Sequence, residues 1–212
     1  MDVRMFTVGP VAENSFILRR EGSDSALIVD PGDEAPLLLT AIESLGVKLE
    51  GILLTHTHFD HVGAVAPVAK ATGAEVWVPE IEQGVLADIN SFVPWPGFGP
   101  FEDWDAEHTL SGGEKLELAG FHIDVLFTPG HSPGHVTFSV PDEAAVFSGD
   151  VLFQGSVGRV DLPGGDWPTL LESLRTLVET LPPETTVYPG HMGITTLGAE
   201  RASNPFLAEL AR

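Results

Sequence analysis

The sequence contains no cysteine. That excludes disulfides, a thiolate metal site and a cysteine nucleophile, and it accords with a reducing compartment. Basic residues are scarce: ten Lys and Arg stand against 31 Asp and Glu, giving a formal net charge of −21 over 212 residues. So few cations cannot form a broad basic surface, and the mean field repels polyphosphates, so nucleic acid is not an expected partner. Bound divalent cations would reverse that field locally and allow a small anion to be held. No apolar run approaches the length of a membrane span, and no membrane partner is expected. The opening residues, Met1-Asp2-Val3-Arg4-Met5-Phe6, lack both the charged stretch and the apolar segment of a secretory leader, which points to the cytoplasm. What remains, 43% hydrophobic residues regularly punctuated by Gly and Pro, describes a globular chain expected to form one domain over 1–212.

Against this background one stretch is unusually rich in chemistry. Thr55-His56-Thr57-His58-Phe59-Asp60-His61 spells H-x-H-x-D-H between an apolar run, Gly51-Ile52-Leu53-Leu54, and Val62-Gly63-Ala64-Val65-Ala66. The first run suits a buried strand, and the second reads as the start of a helix extending to about Thr72. Three imidazoles and a carboxylate in six residues make a poor core and a good metal site. If His56 and His58 are extended, their side chains point the same way and can ligate one ion, leaving Asp60 and His61, in the first helical turn, for a second.

The pass along the chain supplies the remaining ligands. Strands are expected at 5–9, 14–19, 26–30, 75–78, 115–118, 121–127, 135–140, 144–147 and 186–188, with a tight turn at Ala119-Gly120. Helices are expected near 34–45, closed by Gly46, and after Asp166, where Pro168 sits in the first turn and Leu170, Leu174, Leu177 and Leu181 form an apolar stripe. Residues 94–101 hold three prolines and two glycines and can be neither a regular helix nor a central strand. A faint repeat is visible: a strand ending in Asp30, a helix and a strand ending at His56, then a strand ending in Asp150, a helix and a strand ending at His191. It implies two β-α-β halves that present polar groups from matching strand ends, in an α/β sandwich of two sheets.

His131, Asp150 and His191 each follow an apolar strand and a glycine, Gly130, Gly149 and Gly190. Glycine permits the sharp turn that aims a side chain from a strand end into a site. Together the residues give His56, His58 and His131 for one metal, and Asp60, His61 and His191 for the other, with Asp150 able to bridge. Imidazole and carboxylate without thiolate suit Zn first, with Fe or Mn as alternatives.

These motifs resemble the metallo-β-lactamase superfamily. More narrowly, Thr128-Pro129-Gly130-His131-Ser132-Pro133-Gly134-His135, Phe147-Ser148-Gly149-Asp150-Val151-Leu152-Phe153, Gly155-Ser156-Val157-Gly158-Arg159-Val160-Asp161 and Asn204-Pro205-Phe206-Leu207 resemble the short glyoxalase II-like (hydroxyacylglutathione hydrolase-like) hydrolases. The resemblance implies an αβ/βα sandwich of two mixed sheets with helices on the outer faces, two divalent ions on the seven ligands above, and hydrolysis of a small acyl-thioester such as S-lactoylglutathione. Two cations acidify a shared water and stabilise the oxyanion formed at the carbonyl, and a thiolate, with a thiol pKa of about 8.5, leaves readily. Asp60 could orient the attacking hydroxide as well as bind metal. The nearest rival is a mononuclear iron persulfide dioxygenase on a similar fold. A phosphodiesterase acting on RNA comes third, disfavoured by the charge.

Beyond the ligands, Asp30 either orients a ligand histidine or makes a turn, His135 has a packing or supporting role, and His108 and His122 read as surface residues. Arg159 either meets a substrate carboxylate or pairs with Asp161. Phe92, Trp95, Phe98, Phe101 and Trp104 either wall the site or anchor their loop.

Overall fold

The computed structural model describes residues 1–210. The chain divides into two compact units, one formed by Met1–Leu110 with Glu117–Phe121 and one by Ser111–Leu116 with the residues from His122 onward. No helix among the described residues is long and apolar enough to cross a membrane.

In the first unit the chain runs β1 (Asp2–Val8), β2 (Glu13–Arg19), β3 (Ser25–Val29), α1 (Ala35–Leu45), β4 (Lys48–Leu53), α2 (Phe59–Val62), α3 (Val65–Thr72), β5 (Glu75–Pro79), α4 (Gln83–Leu86) and β6 (His108–Leu110). The sheet order is β1-β2-β3-β4-β5-β6. The first three strands form an antiparallel meander, and β3, β4, β5 and β6 are parallel. Parallel neighbours place their C-terminal ends along one edge, so the residues after β3, β4 and β5 share that edge. Leu38 and Ile42 of α1 and Val65, Val68 and Ala69 of α3 bury themselves with Ile28 and Ile52 in one apolar cluster. Each fully buried Leu, Ile or Val of this kind contributes roughly 1.5–3 kcal/mol. Gly46 caps α1 in the left-handed conformation (φ 65°), as expected of a glycine at that place.

The expected single helix after the histidine cluster is two helices. The Ala64 amide, which a continuous helix would direct to the Asp60 carbonyl, donates instead to the Pro31 carbonyl at 3.0 Å. That bond ties the end of α2 to the turn after β3 and restarts the helix as α3, whose first turn accommodates Pro67 without losing a hydrogen bond.

The chain continues with β7 (Lys115–Leu118), β8 (Phe121–Phe127), β9 (Val136–Val140), β10 (Ala145–Gly149), β11 (Leu152–Phe153), β12 (Ser156–Val157), α5 (Trp167–Thr180), β13 (Thr186–Pro189), β14 (Thr195–Thr196) and α6 (Leu197–Ser203), all in the second unit from His122 onward. β7 and β8 keep the expected limits and join through Ala119 and Gly120, both at positive φ (48° and 76°). The sheet order is β14-β13-β10-β9-β8-β7. β9 is antiparallel to β8 and to β10, and β13 is parallel to β10. The three strands β8, β10 and β13 therefore run the same way and end on one edge. Between β10 and α5 the chain forms a small hairpin, β11 paired with β12. Asp166 caps α5 by accepting the Thr169 amide at 2.9 Å, and Leu170, Leu174 and Leu177 are fully buried with Val146 and Val187. Both units thus contain the β-α-β crossover that the faint repeat implied: β3-α1-β4 in one, β10-α5-β13 in the other.

Candidate metal centre

In the first unit the site begins at the C-terminal ends of β3 and β4. Asp30, next to Val29, has a left-handed backbone (φ 48°) and is 2% exposed. Its Oδ1 accepts the Thr55 amide at 2.7 Å, and its Oδ2 accepts the Thr55 hydroxyl at 2.6 Å and His61 Nδ1 at 3.0 Å. Asp30 therefore holds Thr55 and His61 as well as making the turn after β3. A carboxylate only accepts, so the Thr55 hydroxyl must spend its proton on Asp30 and accept from His56 Nδ1, 3.1 Å away. Both His56 and His61 then carry their proton on Nδ1 and present Nε2 as a lone pair. Asp30, His56 and His61 lie close enough for one ion, and His61 faces Asp30 through its protonated nitrogen, the arrangement by which a carboxylate orients an imidazole.

His56 Nε2 lies 3.1 Å from His58 Nδ1. Two nitrogens bound at about 2.0–2.1 Å to one tetrahedral ion stand roughly 3.3 Å apart, so this pair is spaced as ligands are. The bend between them is held by Glu82, buried to 4% exposure, whose carboxylate accepts the Thr57 amide at 2.8 Å and the Thr57 hydroxyl at 3.0 Å. His58 then enters α2 with extended backbone (φ −63°, ψ 145°). Asp60 sits in the first turn of α2, with Oδ2 3.9 Å from His61 Nε2 and the side chain partly open to solvent. Sequence reasoning missed Thr55 and Glu82, although Thr beside a ligand histidine carries the hydroxyl that could have suggested the relay.

In the second unit His131, Asp150 and His191 follow the parallel-running β8, β10 and β13. The register slips between Phe147 and Gly149, and Gly149 takes a left-handed backbone (φ 48°), so the chain bends sharply just before Asp150. Asp150 Oδ2 stands 3.3 Å from His131 Nε2 and 3.6 Å from His191 Nε2. His131 Nδ1 donates to the Arg159 carbonyl at 2.7 Å, again leaving Nε2 for metal. His135 Nε2 accepts the Asp150 amide at 3.0 Å, so its Nδ1 proton goes to Thr128 Oγ1 at 3.1 Å. His135 thus holds the Asp150 backbone in place.

Arg159 grips Asp161 with two bonds of 2.6 and 2.7 Å, and the guanidinium holds the Asp161 carboxyl down at about 2. The pairing alternative is the one realised, and it is the Arg159 backbone that touches the site. Gly158, just before it, has no room for a side chain: a Cβ there would lie 1.9 Å from the Asp150 carbonyl oxygen and 3.1 Å from His131 Nδ1. Gly158→Ala is therefore expected to displace both groups, cost about 1–3 kcal/mol in denaturant unfolding, and lower bound metal by elemental analysis. Unchanged metal content would contradict the tight approach. His108 stacks on Trp77 and bonds Glu75 at 2.7 Å, and His122 is exposed. Of the aromatic loop, Phe98, Phe101 and Trp104 pack against the first unit's core, while Phe92 and Trp95 are exposed.

The donors are imidazole and carboxylate, two imidazoles in the first unit and one in the second are held with Nε2 presented, and a carboxylate oxygen stands between two histidines. This set fits divalent ions such as Zn, Fe or Mn. Comparison with known proteins agrees. A family model described as the metallo-beta-lactamase superfamily matches residues 8–191. The hydroxyacylglutathione hydrolase GloC of Haemophilus influenzae is 37% identical over 98% of this chain and 98% of its own length. Among solved structures, the BLEG-1 B3 metallo-beta-lactamase superposes with a TM-score of 0.92 at 39% identity, covering 97% of this chain and 99% of the other. TTHA1623, solved in a di-iron-bound form, superposes with a TM-score of 0.78 at 42% identity, covering 96% and 100%.

Proposed function

Because the chain belongs to the metallo-β-lactamase superfamily, we propose that this metallo-hydrolase carries two divalent ions and cleaves small acyl-thioesters of the S-lactoylglutathione type. The observation that carries the reading is Asp150, whose Oδ2 stands 3.3 Å from His131 Nε2 and 3.6 Å from His191 Nε2 and so could be shared by ions that these two histidines would hold. The proposed ligands, as the motifs imply, are His56, His58 and His131 for one ion, Asp60, His61 and His191 for the other, with Asp150 able to bridge. The di-iron form of TTHA1623 supports two ions and keeps iron beside zinc as the native metal. The GloC relative supports the thioester. A cytoplasmic location and a small-molecule substrate belong to the same reading, supported by the lack of cysteine and the charge of −21.

Bound cations supply Lewis acidity, acidifying water and polarising a carbonyl. The protein's own contribution is to fix the donors. Asp30 and Thr55 set the proton positions of His61 and His56, and the Arg159 carbonyl sets that of His131, so these three histidines present Nε2 without a change of tautomer. Asp60, partly open, can also accept a water proton or orient the water's attack. No strong general acid is needed for departure of a thiolate, whose conjugate acid has a pKa of about 8.5.

Protein purified without added metal is expected to hold two metal equivalents per chain by elemental analysis. Chelation should abolish thioesterase activity and lower the melting temperature, since an ion bound only to the folded state stabilises it. One iron per chain together with oxygen uptake on a persulfide would overturn the hydrolase in favour of the dioxygenase. Metal-replete protein that cleaves no acyl-thiol in a broad panel would overturn the substrate class.

A further inference from the structure

In the second unit one buried carboxylate ties the hairpin β11–β12 to the loop that carries His191. Glu200, in α6, is 2% exposed. Its Oε1 accepts the Thr195 hydroxyl at 2.6 Å, and its Oε2 accepts the Gly155 amide and Asn204 Nδ2, both at 2.8 Å. All three donors are uncharged, and they come from β14, from the turn of the hairpin and from the end of α6. Burying a carboxylate is costly even when donors meet it, so a helix that needed only packing here would be served at less cost by an apolar side chain.

Two of those donors bracket His191. Thr195 pairs with Val187 of β13 and so closes the loop 190–194, whose near end is held by the Gly190 amide on the Gly149 carbonyl at 2.9 Å. Gly155 lies at the tip of the hairpin, two residues beyond Phe153. The Phe153 ring stands 5.7 Å from that of His191, centre to centre, at 82° to it. Loop and hairpin also meet directly, since a Cβ at Gly193 would fall 2.6 Å from Gln154 Oε1. Asn204 reinforces the same fastening: its Nδ2 donates to the Ser156 carbonyl at 3.0 Å, and its Oδ1 accepts the Phe206 amide at 3.0 Å. The Asn204-Pro205-Phe206-Leu207 stretch, which supplies no ligand, thus helps to lock the hairpin.

We propose that Glu200 is a positioning residue for His191. Through Thr195 it fixes the far end of the His191 loop, and through Gly155 it fixes the Phe153 ring against the imidazole. The consequence for metal rests on the two-ion reading. Cutting the Thr195 link should weaken the ion assigned to Asp60, His61 and His191 and spare the one assigned to His56, His58 and His131.

The test uses the full chain. Thr195→Val removes the hydroxyl that joins Glu200 to the loop, Thr195→Ser keeps it, and Glu200→Ala removes the whole fastening. Phe153→Leu gives the His191 signal without the neighbouring ring. Leu177→Val, which shortens a fully buried side chain of α5 in the same unit, is the control for lost stability. The first readout is NMR of the His191 ring protons in metal-free protein, which sense the ring current of Phe153 and need no ion. They are expected to move toward the Phe153→Leu value in Thr195→Val and Glu200→Ala, and to keep the parent value in Thr195→Ser and Leu177→Val. The second is calorimetric titration of metal-free protein with Zn, in which Thr195→Val should weaken one binding step roughly tenfold and leave the other unchanged. A His191 signal unmoved in Thr195→Val, or moved equally in Leu177→Val, would overturn the positioning role. Two steps weakened alike, or neither weakened, would overturn its bearing on one ion. A parent that binds a single ion would refute the two-ion reading, and the His191 signal would then decide on Glu200 by itself.

Discussion

Replacing Asp30 by alanine is expected to destabilise the fold by about 3–5 kcal/mol and to weaken metal binding by about 10–100-fold. Asp30 is 2% exposed and accepts three hydrogen bonds, from the Thr55 amide, the Thr55 hydroxyl and His61 Nδ1. Its removal leaves buried donors unpaired, and an unmet buried donor costs about 1–3 kcal/mol where a met one contributes less. The effect on metal follows separately. Without Asp30 the Thr55 hydroxyl is free to rotate and donate to His56, and His61 loses the acceptor that keeps its proton on Nδ1. Both ligands can then present the wrong nitrogen. Asp30→Asn separates the two effects: it keeps the volume but turns an N–H₂ toward groups that are themselves donors, so metal affinity should fall nearly as far as with alanine. Denaturant unfolding in the presence of chelator reads the first effect, and metal titration of the folded protein reads the second. Retention of both stability and metal by Asp30→Ala would remove the relay from the account.

Gly32→Ala should be comparably severe for a different reason. A Cβ at Gly32 would lie 1.6 Å from the Asp60 carbonyl oxygen and 2.6 Å from Glu13 Oε2. The nearer neighbour is backbone and cannot swing aside as a side chain would. The opposing wall is no softer: a Cβ at Gly63 would come within 2.5 Å of the Gly32 carbonyl, and the Ala64 amide holds the Pro31 carbonyl. Relief therefore requires α2 to lift from the turn after β3, taking Asp60 and His61 with it. Overpacking of this kind usually costs about 1–3 kcal/mol and more when backbone must move. The expected result is a melting temperature lowered by several degrees together with loss of the metal that Asp60 and His61 would hold. A variant that melts as the parent does and keeps its full metal complement would show that the turn yields.

How much of this was legible beforehand can be judged residue by residue. The H-x-H-x-D-H run suggested metal because no packing pattern explains it, and the glycines before His131 and Asp150 take the positive φ (127° and 48°) that the expected strand-end bends require, whereas Gly190 before His191 does not. The β-α-β repeat was readable from apolar runs alone. What could not be read were bonds between residues distant in sequence. Asp30 reaches Thr55 and His61, and Glu82 reaches Thr57, across separations that no local pattern encodes. Nor could the break between α2 and α3 be seen, since local propensity favours continuity across Gly63-Ala64 and the competing acceptor, the Pro31 carbonyl, belongs to another element.

Composition and spacing by themselves determined the donor chemistry: no thiolate, imidazole and carboxylate at strand ends, and a charge that turns away polyanions. The tertiary structure alone decided which nitrogen His56, His61 and His131 present, because a tautomer is set by its hydrogen-bond partners and these are fixed by Asp30, through Thr55 for His56, and by the Arg159 carbonyl, all distant in sequence. It alone decided that Arg159 serves the site through its carbonyl, because the guanidinium is taken by Asp161. The groove lined by residues 8–11, 32–36, 59–67 and 97–101 is likewise tertiary, since those segments meet only in the folded chain.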